Sequence, residues 1–226
     1  RFVHIEDVRS SNLLSPTIRS RICVANQLQE RAFMTVELFV LRHGETTWNR
    51  EGRMQGHLNA PLTELGVEQA VTQRNIMAEQ DLSGFCVLSS PSGRAVETAA
   101  IALGPLVTEI TTDPDLREVG VGEWTGRLRA ELIDPTEWQV TVDGVLELYD
   151  MAPGGEGIAG LEARCAQFLA RLKGPHVLVT HGITSRMIRA LALGHGPNVT
   201  LATLSDMPGG QGVVYHVKDG RQKRLS

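Results

Sequence analysis

The chain has 226 residues, 42% of them hydrophobic and 21% charged, the balance of a globular protein able to bury a sizeable core. Its formal net charge of -4 sets up no global field for nucleic acid or an anionic membrane, so any anion binding has to come from a local site. No stretch approaches the ~18 apolar residues of a membrane span, and Cys23, Cys86 and Cys165 are odd in number and widely spaced, the pattern of core thiols in a reducing cytoplasm.

Residues 1–33 mix Arg9, Arg19, Arg21 and Arg31 with Glu6 and Asp7 and show no strand pattern. The acids argue against a transit peptide, and there is no hydrophobic core of a secretory signal, so this stretch is expected to be an extension of unknown role before Met34. The run at 36–41 predicts a buried strand that ends abruptly in Arg42-His43-Gly44-Glu45. A helix follows at 64–79, a strand at 84–88, a helix at 92–103 and a strand at 107–111. Residues 127–155 interrupt the alternation with short, acid-rich pieces, expected to form a helical cap inserted over the sheet. Helix 156–172, strand 176–180, helix 183–193 and strand 213–218 complete the pattern, and the tail GRQKRLS reads as a solvated end. The expected fold is α/β, a three-layer α/β/α sandwich around a mostly parallel central sheet, with residues 34–226 as one domain.

Several mechanisms fail on sequence: there is no GxxxxGK[ST] phosphate loop, no HExxH and no GxSxG. Four anion-directed features remain, each beside a strand end or turn. They are Arg42-His43-Gly44-Glu45, Ser89-Ser90-Pro91-Ser92-Gly93-Arg94, Leu116-Arg117-Glu118 and His181-Gly182. In open α/β sheets ligands bind outside the carboxyl ends of the strands, so one sheet edge can gather two histidines and two arginines around one point. His4, His57, His176, His195 and His216 are given no catalytic role, with His57 and His195 expected as solvated loop side chains. Trp124 and Trp138 are read as packing residues, and no cysteine has a histidine partner in a motif.

The motifs LRHGETTWN, QGHLNAPLTELGVEQA, SSPSGRAVETA, LREVGVGEWTG, PGGEG and VLVTHG stand in an order that resembles the histidine phosphatase superfamily, the group that includes the cofactor-dependent phosphoglycerate mutases. The resemblance covers essentially residues 34–218. It implies His43 as a nucleophile that becomes phosphohistidine, Arg42 and Arg94 as clamps on the phosphoryl oxygens, and His181 as a donor to the same group. It implies Glu118 as the residue that protonates the leaving oxygen and then deprotonates the attacking water. Asn49, Gln55, Gly56 and Gly182 match phosphate- or substrate-binding positions, while Glu45 is expected to organise the loop's charges. Departures are small: Glu97, Asn59 and Gly157 stand where relatives often carry Gln, Asp and Ser.

The same set serves phosphatases and mutases. Mutases of this family carry a longer, basic insertion between the equivalents of Glu118 and His181. Here Leu132 to Gly160 contains no Lys or Arg but does contain Asp134, Glu137, Asp143, Glu147, Asp150 and Glu156. Capping the cleft, these acids would repel a second anion. The expected activity is therefore a phosphomonoesterase releasing inorganic phosphate from a small phosphorylated metabolite, with a leaving group that is neutral or weakly charged. A phosphoglycerate mutase is the alternative, and a non-catalytic binding protein the third reading. No metal or cofactor is expected, because arginines and histidines do the charge work. Neither nucleic acid nor membrane is an expected partner. A homodimer is compatible with the sequence, which does not specify the oligomeric state.

Overall fold

The computed structural model describes residues 36–132 and 146–226. The extension at 1–33, and Cys23, Asp134, Glu137, Trp138 and Asp143 of the sequence reading, lie outside the described residues. In chain order the elements begin with β1 (Leu38–Arg42), α1 (Thr47–Glu51), α2 (Glu64–Ala78), β2 (Cys86–Ser89), α3 (Gly93–Ala102) and β3 (Thr111–Thr112). They continue with α4 (Arg129–Leu132), α5 (Leu146–Met151), α6 (Gly157–Arg171), β4 (His176–Thr180) and α7 (Gly182–Ala192). Helix α8 (Leu201–Asp206) and strands β5 (Val214–Lys218) and β6 (Arg221–Leu225) close the chain.

The run that feeds β1 is buried on both sides. Leu38 and Val40 join one apolar cluster with Leu178, Phe168 and Met187, whereas Phe39 and Leu41 join another with Val177, Ala95, Ala99 and Met77. Successive strand residues point to opposite faces, so a strand that is apolar throughout needs helices on both. Helices α2 and α3 supply one layer, α6 and α7 the other, which completes the three-layer sandwich. Sheet order is β3-β2-β4-β1-β5-β6, with β3, β2, β4 and β1 parallel and β5 and β6 antiparallel. The carboxyl ends of β1, β2 and β4 therefore open on the same edge.

Local chemistry explains the turns beside that edge. Thr46 caps α1 in a reciprocal box with Asn49, and Thr63 caps α2 by accepting from Gly66 N–H. Gly44 passes so close to α2 that a Cβ there would lie 2.1 Å from Gly66 O. Only glycine fits that crossing.

Three expectations need correction. The strand expected at 107–111 shrinks to Thr111–Thr112, because the chain leaving α3 still turns, with Val107 N–H donating to Leu103 O at 3.1 Å. The tail is not a free end: β6 pairs along β5, Leu225 packs on the second cluster, and Gln222 accepts from Arg189 at 2.7 Å. Its charges suit an edge strand, where they discourage further pairing. Cys86 opens β2 exposed rather than in the core, while Cys165 is buried as expected and its thiol is pushed up to about 12 by burial. Within the inserted segment, α5 turns Leu146, Leu148 and Tyr149 into the first cluster, so this part packs as core.

Candidate active site

The loop after β1 sets His43 at the sheet edge, 3% exposed. Its Nδ1 lies 2.7 Å from Gly44 O, an acceptor only, so Nδ1 carries the proton and donates. That leaves the lone pair on Nε2, to which Arg94 Nε donates at 3.3 Å. Burial foremost, then Arg94 and Arg42, pulls the imidazole well below its ordinary range, so the ring stays neutral. His43 thus presents an unprotonated nitrogen between two guanidiniums.

Arg94 begins α3 behind β2 and is almost fully buried. Besides Nε, its Nη1 donates to Leu58 O at 2.7 Å and its Nη2 to Gly56 O at 2.9 Å. Three of its five N–H groups are spent on holding the fork, leaving two for a ligand. Burial lowers its pKa to about 10, still charged at neutral pH. Asn59, one of the departures noted above, accepts from Arg94 N–H at 2.9 Å and so ties this helix end to the Gln55–Asn59 loop. Arg42 ends β1, with Nη1 donating to Gly209 O at 2.7 Å and Nε buried without a partner among the described residues. Gly182 makes room for it: a Cβ there would stand 3.3 Å from Arg42 Cζ.

Glu118 arrives from the loop after β3 and docks on the N-terminus of α7. Its Oε1 accepts from Val119 N–H, Thr184 N–H and Thr184 Oγ1, each at 3.0 Å, while Oε2 accepts only from Ile183 N–H at 3.1 Å. The two ends are therefore inequivalent, and Oε2 retains open lone-pair capacity. His57, expected as a solvated ring, instead places Nε2 3.0 Å from Glu118 O, though the residue is exposed. Glu45 does organise loop charges, taking Arg50 and, at 2.7 Å, the Thr63 hydroxyl.

Arg42, His43, Asn49, Gln55, Gly56, Arg94, Glu118 and Gly182 all line one cavity of about 200 Å³. Asn49 Oδ1 accepts from Thr46 N–H and Gln211 Nε2, leaving its amide N–H groups for the pocket. Gln55 Nε2 is a buried donor without a partner among the described residues. His181 is placed differently. It is fully buried behind His43, ring centroids 5.1 Å apart, and does not line the cavity. Its Nε2 meets Ser90 Oγ at 2.8 Å and its Nδ1 has no partner among the described residues. Burial, then Arg94, His43 and Arg42, keeps this ring neutral as well.

The family description "Histidine phosphatase superfamily (branch 1)" matches residues 38–211. The chain is 38% identical over 156 residues to Phosphoglycerate mutase-like protein 4 of Arabidopsis thaliana, covering 65% of this chain and 66% of that protein. It belongs to the histidine phosphatase superfamily. A second relative of the superfamily, Probable phosphoglycerate mutase GpmB of Enterobacter, is 34% identical over 167 residues, 70% of this chain and 75% of its own. Among solved structures, Bacillus stearothermophilus YhfR superposes with a TM-score of 0.64 at 31% identity, covering 80% of this chain and 90% of its own.

Sequence reasoning missed Arg129, Tyr149 and Arg186, which also line the cavity, and Thr184, Ser90 and Gln211, which hold its groups in place. Arg129 was within reach: it stands in the LREVGVGEWTGRLR stretch, just before the acid-rich span from Leu132. The described acids of that span do not line the pocket. Glu147 is exposed, Asp150 accepts from Ile158 N–H at 2.9 Å, and Glu156 pairs with Arg164 at 2.7 Å. Asp134, Glu137 and Asp143 of the same span lie outside the described residues.

Proposed function

We propose that the protein is a phosphomonoesterase that works through a phosphohistidine on His43, without a metal, on a small phosphorylated metabolite. The observation that carries this reading is the tautomer of His43: Nδ1 is spent on Gly44 O, so Nε2 is the nucleophilic nitrogen, and it sits in a cavity with two arginines and one carboxylate.

In the first step Nε2 attacks phosphorus, the P–N bond forms and the ester P–O bond breaks. The leaving oxygen takes a proton from Glu118, whose Oε2 is the end free to carry it. Water then attacks the phosphohistidine, yields a proton to Glu118, breaks the P–N bond and returns neutral His43 with inorganic phosphate. Arg42 and Arg94 stabilise charge on the transferring oxygens throughout, aided by the N–H donors of Gln55, Asn49 and Gly182. His181, fully buried and edge-on to the His43 ring, acts by positioning that ring and not by touching the phosphoryl group. Uncatalysed phosphate-monoester hydrolysis is slow enough that enhancements reach ~10²¹, roughly 28 kcal/mol, so many such contacts have to act together.

Mutase chemistry is the second reading, favoured by the names of the two relatives and by the added arginine on the inserted segment. Phosphate release in EDTA, by wild type and His43→Ala, separates the readings. Release lost in the variant supports hydrolysis. Isomer formation that needs a phosphorylated primer, with little phosphate released, supports the mutase. A His43→Ala protein that keeps a biological role supports the scaffold. We place the enzyme in the cytoplasm, as one domain from residue 34 with residues 1–33 appended; no helix among the described residues is long and apolar enough to cross a membrane.

A further inference from the structure

Helix α7 carries an arginine that does not line the cavity and that the steps above leave without a task. Arg189 is fully buried. Its Nε donates to Ser185 O at 3.1 Å and Ser185 Oγ at 3.2 Å, its Nη1 to Gln222 Oε1 of β6 at 2.7 Å, and its Nη2 to Pro208 O at 2.6 Å. The guanidinium lies 3.9 Å from the centre of the Tyr215 ring of β5. Each of these acceptors is neutral, so the charge is buried without a carboxylate partner among the described residues. Burial lowers its pKa to about 10, and the group stays charged at neutral pH.

A buried cation without an acid is costly, and apolar residues of similar volume often replace buried charges with no loss of stability. What the guanidinium holds is therefore the clue to its role. Four consecutive residues of the loop between α8 and β5 are anchored. Pro208 O takes Arg189, Gly209 O takes Arg42 Nη1 at 2.7 Å, and Gly210 N–H donates to the Tyr215 hydroxyl at 3.2 Å. Gln211 Nε2 donates to His43 O at 3.1 Å and Asn49 Oδ1 at 3.3 Å. Gly209 O is the one acceptor that the Arg42 side chain has among the described residues. Arg186, which lines the cavity, packs on Gly209 as well: a Cβ there would lie 2.7 Å from its Nε, so the position has no room for a side chain. The peptides on either side of Gly209 are thus held by Arg189 and by the tyrosine that Arg189 stacks on.

We infer that Arg189 is a positioning residue for phosphoryl transfer: it fixes the Pro208-Gly209 peptide from behind, so that Gly209 O holds the Arg42 guanidinium where the phosphoryl group binds. An arginine suits this task. Its rigid planar fork meets Ser185 of α7, Gln222 of β6 and Pro208 of the loop at once, which the single ammonium of a lysine does not. Misplacing a catalytic group by about 1 Å can cost on the order of 10²-fold in rate, so a small drift of Gly209 is enough to matter. Strand β6 then takes part in the site too, because Gln222 orients the fork. This inference deepens the phosphoryl-transfer reading and rests on it.

The test is calorimetric titration of inorganic phosphate, at neutral pH and well below Tm, into wild type, Arg189→Met, Arg42→Gln and the double variant. Arg189→Met should raise the Kd for phosphate about three- to tenfold, part of what a charge-assisted contact supplies. In the Arg42→Gln background the same substitution should change Kd by less than about twofold, since its route to the ligand is already gone. A merely structural role predicts a lower Tm with wild-type phosphate affinity in the folded variant, and that result overturns the inference. So does an equal loss in both backgrounds. If Arg189→Met does not fold, Arg189→Lys takes its place: it keeps the charge and loses the fork, and the same two comparisons decide. Wild type that binds no phosphate overturns the phosphoryl-transfer reading and this inference with it, whereas wild type that binds phosphate no better than Arg189→Met or Arg189→Lys overturns this inference alone.

Discussion

Thr184→Val is the substitution whose cost the structure defines most closely. The hydroxyl is buried and stands 2.8 Å from Arg117 O and 3.0 Å from Glu118 Oε1, yet it has one proton and serves one acceptor at a time. Removing it orphans neither. Arg117 O still accepts from Arg164 Nη1 at 3.0 Å, and Oε1 still accepts from Val119 and Thr184 N–H. The loss should therefore match one net hydrogen bond, about 1 kcal/mol, and not the 1–3 kcal/mol of an abandoned buried polar group. For a domain of this size that is about 2–4 °C in Tm and a lower urea midpoint at constant m. Because Glu118 loses one of the donors that aim it, kcat should fall roughly three- to tenfold with KM nearly unchanged, about 1 kcal/mol in the barrier. Thr184→Ser should recover both properties. A loss above about 3 kcal/mol would mean an acceptor was left bare, and an unchanged kcat would mean Thr184 does not position Glu118.

Gly44→Ala should reduce both stability and kcat, since the new Cβ meets Gly66 backbone and not a movable side chain; overpacking of this kind costs about 1–3 kcal/mol or more, and a variant with wild-type melting and turnover would contradict the close approach. His43 and His181 are both held neutral by burial with arginines nearby, so the folded state binds fewer protons than the unfolded chain. Their contribution is present in full above the unfolded value of about 6.5 and is lost as pH falls below it. Urea midpoints should therefore drop between about pH 7.5 and 5.5, and a flat or rising midpoint would count against neutral buried rings. Burial puts the Cys165 thiol at about 12. Under native conditions near neutral pH a thiol reagent should label Cys86 and spare Cys165 until urea is added, as peptide mapping by mass spectrometry would show.

What was legible in the sequence was whatever its own chemistry enforced locally. β1 and β4 are apolar on both faces, so their burial and the helices that cover them follow from composition alone, and the helix expected at 64–79 forms at Glu64–Ala78. β6 was hidden because an edge strand can be nearly all charged, and β3 because two paired residues leave no period to read. The site divides along the same line. His43, Arg94 and Glu118 sit in motifs beside strand ends, so their types and order announce them. Thr184 and Ser90 act through partners far away in the chain: Thr184 meets a carboxylate 66 residues off, and Ser90 meets a ring 91 residues off. No local pattern encodes such a pairing. The acid-rich insertion shows the hazard of summing charge along sequence, for Glu156 neutralises Arg164 and Asp150 caps a helix start, while one arginine outside the counted span faces the cavity. The potential that a substrate meets is set by which side chains reach the pocket after the others have found partners, and among the described residues Arg129 reaches it while Glu147, Asp150 and Glu156 do not.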